Sequence, residues 1–534
     1  MKRVLAFLLV IVMLLGITAC GDDTTKQETP KTTAANATTS TAASTKGTDA
    51  ASTTSAASTS TVGSSSSTTI PTSSSVTSPS STTGTTAPVQ PAVKAKLNGV
   101  SLSEYTIVYD EDALDYTTRA AKYIRDEIRL RTGAEVEMTT DADAPTQHEI
   151  VVGETNRGIS KALNAKTEGM EFSMLAKDGH VAMEGDYFII AAAAYYFVTT
   201  YITGATATTT VPAKVQVQKP IVEKANNYIF LIGDGMGINH TLLPDEYDLS
   251  RFDSDQVDAN DFTDGEDFFY GYLFPYQGEA RTHEIGGGVT DSAASATALA
   301  TGYKTTNGRI GRDKDKNDLK SLTEMAGDLG MNTAVMSTEG RKGATPSGFS
   351  AHADMRDMYD DIVADQDAMT EKYGTIIDCD YDYYNGLGIR HYLEKAITNN
   401  LNRLVQGNKG FFMMYEEAYI DKHSHNQEKE KATWAVFRFN QAIALFMEFA
   451  FYHPDTFVLI TADHETGNLT DLGGYLKYGH GDHTAKQVPV FAYGMGAEVF
   501  DGKVIENVQI PKTIAKMWGQ TLAADTDSQY PPLN

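Results

Sequence analysis

The sequence predicts an α/β fold: a doubly wound, mostly parallel sheet with a small N-terminal α/β accessory domain, set behind a disordered Ser/Thr-rich tether. Three observations predict it. Short, wholly apolar runs at Tyr228–Ile232, Thr333–Met336, Phe411–Tyr415, Phe457–Ile460 and Val488–Tyr493 read as buried parallel strands, because a strand covered on both faces needs no polar alternation. Helical patterns such as Ser321–Leu329 and Lys431–Phe449 lie between them, the alternation of a right-handed doubly wound sheet. From Lys31 to Gln90, 35 of 60 residues are Ser or Thr, and no aromatic occurs between Phe7 and Tyr105. Such a stretch cannot bury enough apolar area to offset its ordering entropy.

In chain order, residues 1–19 come first. Lys2 and Arg3 form a basic start, Val4 to Leu15 an apolar run, and Ile17-Thr18-Ala19 precede Cys20. That order is a secretory signal, and with cysteine at the cleavage point it resembles a bacterial lipoprotein signal. The resemblance implies removal of 1–19 and lipid attachment to Cys20. The chain is then exported and lipid-anchored to the outer face of the bacterial cytoplasmic membrane or the cell surface. An uncleaved anchor is the alternative, but the run is short of the roughly 20 apolar residues of a span. Residues 20–91 form the tether. The second cysteine, Cys379, is expected as an unpaired thiol in an acidic loop, and two cysteines exclude a disulfide framework. A net charge of −26 argues against stable nucleic-acid or anionic-lipid binding by the folded part.

Residues 92–220 read as the accessory domain. Tyr105–Tyr109 is a strand, Tyr116, Ala120, Ile124 and Ile128 recur at helical spacing before a Gly133 stop, and Glu149–Val152 is a second strand. Tyr187–Ile202 carries no charge and is predicted as a buried helix rather than a membrane span.

Residues 225–521 carry the chemistry, and 522–534 form a tail. Ligands of a doubly wound sheet sit at the carboxyl ends of its strands. Gly233-Asp234-Gly235 follows the first run, Glu416 ends the third with Asp421 and His425 beyond it, and Asp463-His464 follows the fourth. Four carboxylates and two histidines on one edge repel one another without a counter-charge, so a divalent metal is expected. Asp421 and His425, four apart, share a helical face; His423 points elsewhere. Mixed imidazole and carboxylate ligands favour zinc. Thr290-Asp291-Ser292 after Gly286-Gly287-Gly288 opens a small-residue helix with Ser292 near its N-terminus, where backbone N–H groups favour an anion such as phosphate.

These motifs resemble a known family. Gly233-Asp234-Gly235-Met236-Gly237, Thr290-Asp291-Ser292-Ala293-Ala294, Ala344-Thr345-Pro346, Glu416 with Ile420-Asp421-Lys422 and His425, Thr461-Ala462-Asp463-His464-Glu465, and His483-Thr484 stand in the order seen in alkaline phosphatases. The resemblance implies two zinc ions, one on Asp421, His425 and His483 and the other on Asp234, Asp463 and His464, with Ser292 as the phosphorylated nucleophile and a metal ligand. It implies one magnesium on Asp234, Thr345 and Glu416, and Arg356 as the phosphate clamp. His480 competes with His483, which the following Thr484 favours. The implied activity is hydrolysis of small phosphate monoesters, with a phosphodiesterase as the alternative and a homodimer among the assemblies left open.

One position departs from the pattern. Alkaline phosphatases commonly carry Asp or His two residues before the threonine of Ala-Thr-Pro, and here it is Gly343. The third site is therefore expected to lack a polar side chain at that point and to hold its ion weakly. Lys422 is expected either to reach the phosphate or to be solvated.

Overall fold

The computed structural model describes residues 94–163, 166–246, 268–380, 389–522 and 529–534. The expected signal, Cys20 and nearly all of the tether lie outside them. The described residues fall in one compact unit spanning 87–534. Among them no helix is long and apolar enough to cross a membrane, and Tyr187–Ile202 is a buried turn and helix, the helix running Ile190–Tyr201.

Two sheets organise that unit. The first has six strands in the order Glu137–Thr140, Thr106–Tyr109, Glu149–Val152, His180–Glu184, Phe172–Lys177 and Gln216–Gln218. Helix Asp115–Thr132 packs on it through Tyr116, Ala120, Ile124 and Ile128 and ends at Gly133, whose φ of 73° favours glycine. Arg119 on this helix meets Glu448 at 2.8 Å and Glu394 at 3.3 Å, tying the first layer to helices of the second.

The second sheet has eight strands in the order Ile376–Cys379, Asn332–Ser337, Phe411–Glu417, Asn227–Gly233, Thr456–Thr461, Val488–Tyr493, Tyr276–Arg281 and Val504–Glu506. The first five run parallel. Asn227–Gly233 sits between Phe411–Glu417 and Thr456–Thr461 and is buried along its whole length. That explains the unbroken apolar run Tyr228–Ile232 within it. Val488–Tyr493 corrects the expectation: it pairs antiparallel with both neighbours, because burial on two faces fixes composition but not direction. Cys379 is likewise not in a loop; it ends the edge strand Ile376–Cys379, and its half-buried thiol is pushed up chiefly by burial.

Helix Lys429–Tyr452 covers one face of this sheet and buries Phe437, Phe439, Phe446 and Phe451. Each such ring contributes about 1.5–3 kcal/mol of transfer free energy. Helix Leu322–Asp328 is capped reciprocally by Ser321 and Glu324. These anchors leave the carboxyl ends of the parallel strands to carry short, irregular segments rather than core.

Candidate active site

The ligand-type residues expected at the strand ends all lie at or just beyond them: Glu416 within strand Phe411–Glu417, Asp421 and His425 in helix Tyr419–His425, and Asp234, Asp463 and His464 in the turns that follow their strands. Asp234 follows Asn227–Gly233 directly, and its N–H donates to the Glu417 carbonyl at 3.0 Å. The chain then turns at Gly235, with φ 74°, and a Cβ there would stand 2.8 Å from the Asp421 Cα. Glycine thus lets the Asp234 loop close on helix Tyr419–His425. The Gly235 N–H donates to Asp463 Oδ1 at 3.0 Å, which locks the first loop to the segment after Thr456–Thr461.

Ser292 is the first residue of helix Ser292–Thr301, whose N-cap is Asp291, accepting from the Ala294 N–H at 2.9 Å. Ser292 is buried, and its Oγ lies 3.2 Å from His464 Nε2. The same His464 nitrogen is 3.2 Å from Asp463 Oδ2 and 3.6 Å from Asp234 Oδ1. Asp421 lies 3.3 Å from His425 Nε2 and 3.5 Å from His483 Nε2, and the two imidazole nitrogens are 3.1 Å apart. The His464 and His483 rings stack with centroids 3.6 Å apart, joining the two groups into one centre. Among the described residues, Asp234, Asp463 and His464 bring ligand atoms within 4.8 Å of one another, as do Asp421, His464 and His483.

His480 belongs to neither group, and its Nδ1 accepts from the Asp482 N–H at 3.1 Å. His423 pairs with Glu428 at 3.2 Å, away from the centre. Arg356 reaches Asp291 Oδ2 at 3.3 Å and is therefore poised beside the serine's cap. Thr345 lies in the first turn of helix Ala344–Ser350, and Glu416 sits in strand Phe411–Glu417, accepting from the Ser337 hydroxyl.

The electrostatics show what this arrangement needs. Asp234 is pushed well above the carboxylate range by burial, then by Asp463, Asp421, Glu416 and Glu339. Glu416 is pushed up by burial and by Glu339. Burial would raise Asp421 too, but hydrogen bonds to His425 and His483 hold it well below its ordinary value. His464 is driven well down by burial and by His483, so it stands as a neutral ligand-type imidazole. Among the described residues, Asp234 Oδ1, Thr345 Oγ1 and Glu416 Oε1 are buried without a hydrogen-bond partner. A bare buried polar atom costs about 1–3 kcal/mol, and crowded carboxylates need a cation. The donor set therefore fits divalent metal: imidazole and carboxylate at the first two positions, oxygen alone around Asp234, Thr345 and Glu416.

Two participants were not anticipated. Thr466 donates from its hydroxyl to Asp421 and orients that carboxylate. Glu339 stands in the space beside Gly343 and binds Lys422 Nζ at 2.6 Å. A polar side chain is therefore present where the glycine predicted none, and Lys422 is ion-paired rather than free.

Comparison with known proteins places these features. Residues 225–382 and 389–481 match the family model described as alkaline phosphatase. Alkaline phosphatase 4 of Bacillus subtilis (strain 168) is 27% identical over 347 residues, covering 55% of this chain and 73% of the relative. Streptomycin-6-phosphate phosphatase of Streptomyces griseus is 24% identical over 420 residues, covering 55% of this chain and 91% of the relative. Among solved structures, the alkaline phosphatase of the Antarctic bacterium TAB5 is 26% identical, covers 55% of this chain and 98% of that one, and aligns with a TM-score of 0.47.

Proposed function

The chain belongs to the alkaline phosphatase family, hydrolases of phosphate esters, and from that premise we propose that it cleaves phosphate monoesters through a phosphoserine on Ser292. The observation that carries this reading is the contact of Ser292 Oγ with His464 Nε2, a nitrogen shared with Asp463 and Asp234. A serine at a helix N-terminus is poorly nucleophilic alone, and here it abuts a metal-type ligand set rather than a general base.

Asp421, His425 and His483 would hold one zinc, and Asp234, Asp463 and His464 the other. Asp234, Thr345 and Glu416 would hold magnesium. Bound there, the ions supply Lewis-acid stabilisation to the serine oxygen and the leaving oxygen. The chain's own residues do the rest. The N-terminus of helix Ser292–Thr301 presents backbone N–H groups to the phosphate oxygens. Arg356 swings from Asp291 to take two of those oxygens through its planar fork. Ser292 Oγ attacks phosphorus in line; the O–P bond to the alcohol breaks, and the alcohol leaves with a proton. Water then attacks the phosphoserine, restoring the hydroxyl and releasing phosphate.

A fork that reads a doubly charged terminal phosphate favours monoesters over diesters. Turnover of a nitrophenyl phosphate monoester and its diester, compared in one buffer, tests it: faster diester cleavage would make the chain a phosphodiesterase of the same fold. Export and lipidation at Cys20 rest on the sequence of residues 1–20, and mass spectrometry of the mature N-terminus checks them.

A further inference from the structure

Glu339 fills the room that a side chain at position 343 would need. A Cβ on Gly343 would lie 1.7 Å from Glu339 Oε1 and 2.1 Å from its Cδ. Gly343 has φ −58°, which any residue adopts, so glycine is required here for space and not for conformation. The carboxylate arrives from a different direction: Thr338-Glu339 follow strand Asn332–Ser337, whose Ser337 pairs in register with Glu416. The Glu339 N–H donates to Ser337 Oγ at 3.0 Å, and that hydroxyl donates to Glu416. The Glu339 carbonyl accepts from the Asp380 N–H at 2.7 Å. The side chain is held in place, only 15% exposed, with Oε2 2.6 Å from Lys422 Nζ.

Glu339 adds a third carboxylate to the pair Asp234 and Glu416, linked to Glu416 through Ser337 Oγ. Glu339 is the largest charge acting on Glu416 after burial, and it acts on Asp234 as well. Lys422 offsets one of these three carboxylates and leaves two negative charges beside the unpartnered Asp234 Oδ1, Thr345 Oγ1 and Glu416 Oε1. That charge and an all-oxygen donor set match a magnesium ion, which keeps several waters and takes one or two carboxylates directly.

We propose that Glu339 completes the third cation site, accepting hydrogen bonds from the waters of a magnesium ion held by Asp234, Thr345 and Glu416, and so replaces from the end of strand Asn332–Ser337 the side chain that Gly343 lacks. The inference rests on the metal-site reading above. Glu339 is a positioning residue, with Lys422 as its counter-charge. It also reverses the expectation drawn from the sequence: the site is not short of an acceptor, and its ion is held firmly.

The test uses the full, zinc-loaded chain, titrated with magnesium. Bound metal is read by equilibrium dialysis with elemental analysis, and independently by the magnesium-dependent rise in unfolding temperature. Glu339→Gln should raise the magnesium concentration for half-saturation by about 10–100-fold, as loss of a second-layer partner does, with zinc content unchanged. Lys422→Met should leave that concentration equal or lower, since it strips a competing cation from Glu339. Glu339→Ala with Gly343→Asp should recover part of the loss, because the cleared space admits the new carboxylate. A Glu339→Gln midpoint within twofold of wild type would overturn the inference alone. Equal weakening by Glu339→Gln and Lys422→Met would also overturn it, leaving Glu339 to act only through the lysine. If the wild-type chain takes up zinc but no magnesium, the third-site reading itself fails. Circular dichroism checks folding; should Glu339→Gln not fold, Glu339→Asp, one methylene shorter, carries the same titration and the same expected weakening.

Discussion

Arg356 Nη1 lies 3.3 Å from Asp291 Oδ2, so the cation proposed to receive phosphate rests on the carboxylate that caps the helix of Ser292. Asp291 therefore has two tasks. It satisfies the Ala294 N–H, and on the proposed mechanism it would hold the guanidinium near the serine until phosphate displaces it. Arg356→Ala should raise the KM for a small monoester about 10–100-fold, the equivalent of one lost hydrogen bond between charged groups. Steady-state kinetics check this; an unchanged KM would remove Arg356 from the phosphate site.

Ser292→Ala deletes one buried hydroxyl and leaves the metal-type ligands in place. Monoester turnover should fall by about a thousandfold or more, while bound zinc and the unfolding temperature stay near wild type. Elemental analysis beside a turnover assay separates loss of the nucleophile from loss of the site.

Exhaustive chelation should abolish activity, and zinc should restore it. It should also lower the unfolding temperature, since Asp234, Asp463 and Glu416 would be left buried beside one another. Ligand linkage alone is worth about 4 kcal/mol at a thousandfold excess over the dissociation constant. Calorimetry before and after chelation measures the difference, and full activity after verified metal loss would defeat the mechanism.

His352 gives a pH signature away from the centre. It lies 3.1 Å from Asp365 and 3.6 Å from Glu324, and although burial opposes its charge, those carboxylates raise it to about 10. A raised histidine stabilises the fold fully below its unfolded value of about 6.5, and that contribution fades as pH rises through 10. His352→Gln should cost on the order of 1 kcal/mol at pH 6, discounted for the partly exposed Asp365. The deficit should vanish by about pH 11. Denaturant unfolding at both pH values reads the trend, and a deficit that grows with pH would contradict the sign.

The sheet was legible where burial leaves no choice of residue. Asn227–Gly233 and Thr456–Thr461 are covered on both faces, and their composition says so. Tyr276–Arg281 and Val504–Glu506 escaped notice because an edge strand and its neighbour admit Gln, Glu and Arg. Strand direction escaped too, since Val488–Tyr493 is as apolar reversed as it would be parallel. The adjacency of Asp421 and His425 followed from helical spacing alone. Glu339 was missed although the signal was present: it follows Asn332–Ser337 at the same sheet edge as Asp234 and Glu416 follow or end theirs. A glycine that breaks a motif directed attention to position 343, and the compensating carboxylate lay four residues earlier, in what reads as an ordinary turn.

The central strand has a consequence for assembly. Asn227 pairs with Phe411 on one side and Thr456 on the other, partners more than 180 and 220 residues downstream. Closing loops of that length costs entropy before any pairing repays it, which makes such topologies slow to form. The ligand set inherits that order. Asp234 emerges first of the set, nearly halfway along the chain, but its partners at 463 and 464 follow most of the remaining chain, and His483 comes later still. On the proposed assignment zinc would not seed the fold, because neither zinc set is complete before His464. Bound to both sets, zinc would join segments far apart in the chain and act as a latch on the closed sheet, slowing its opening rather than directing its formation.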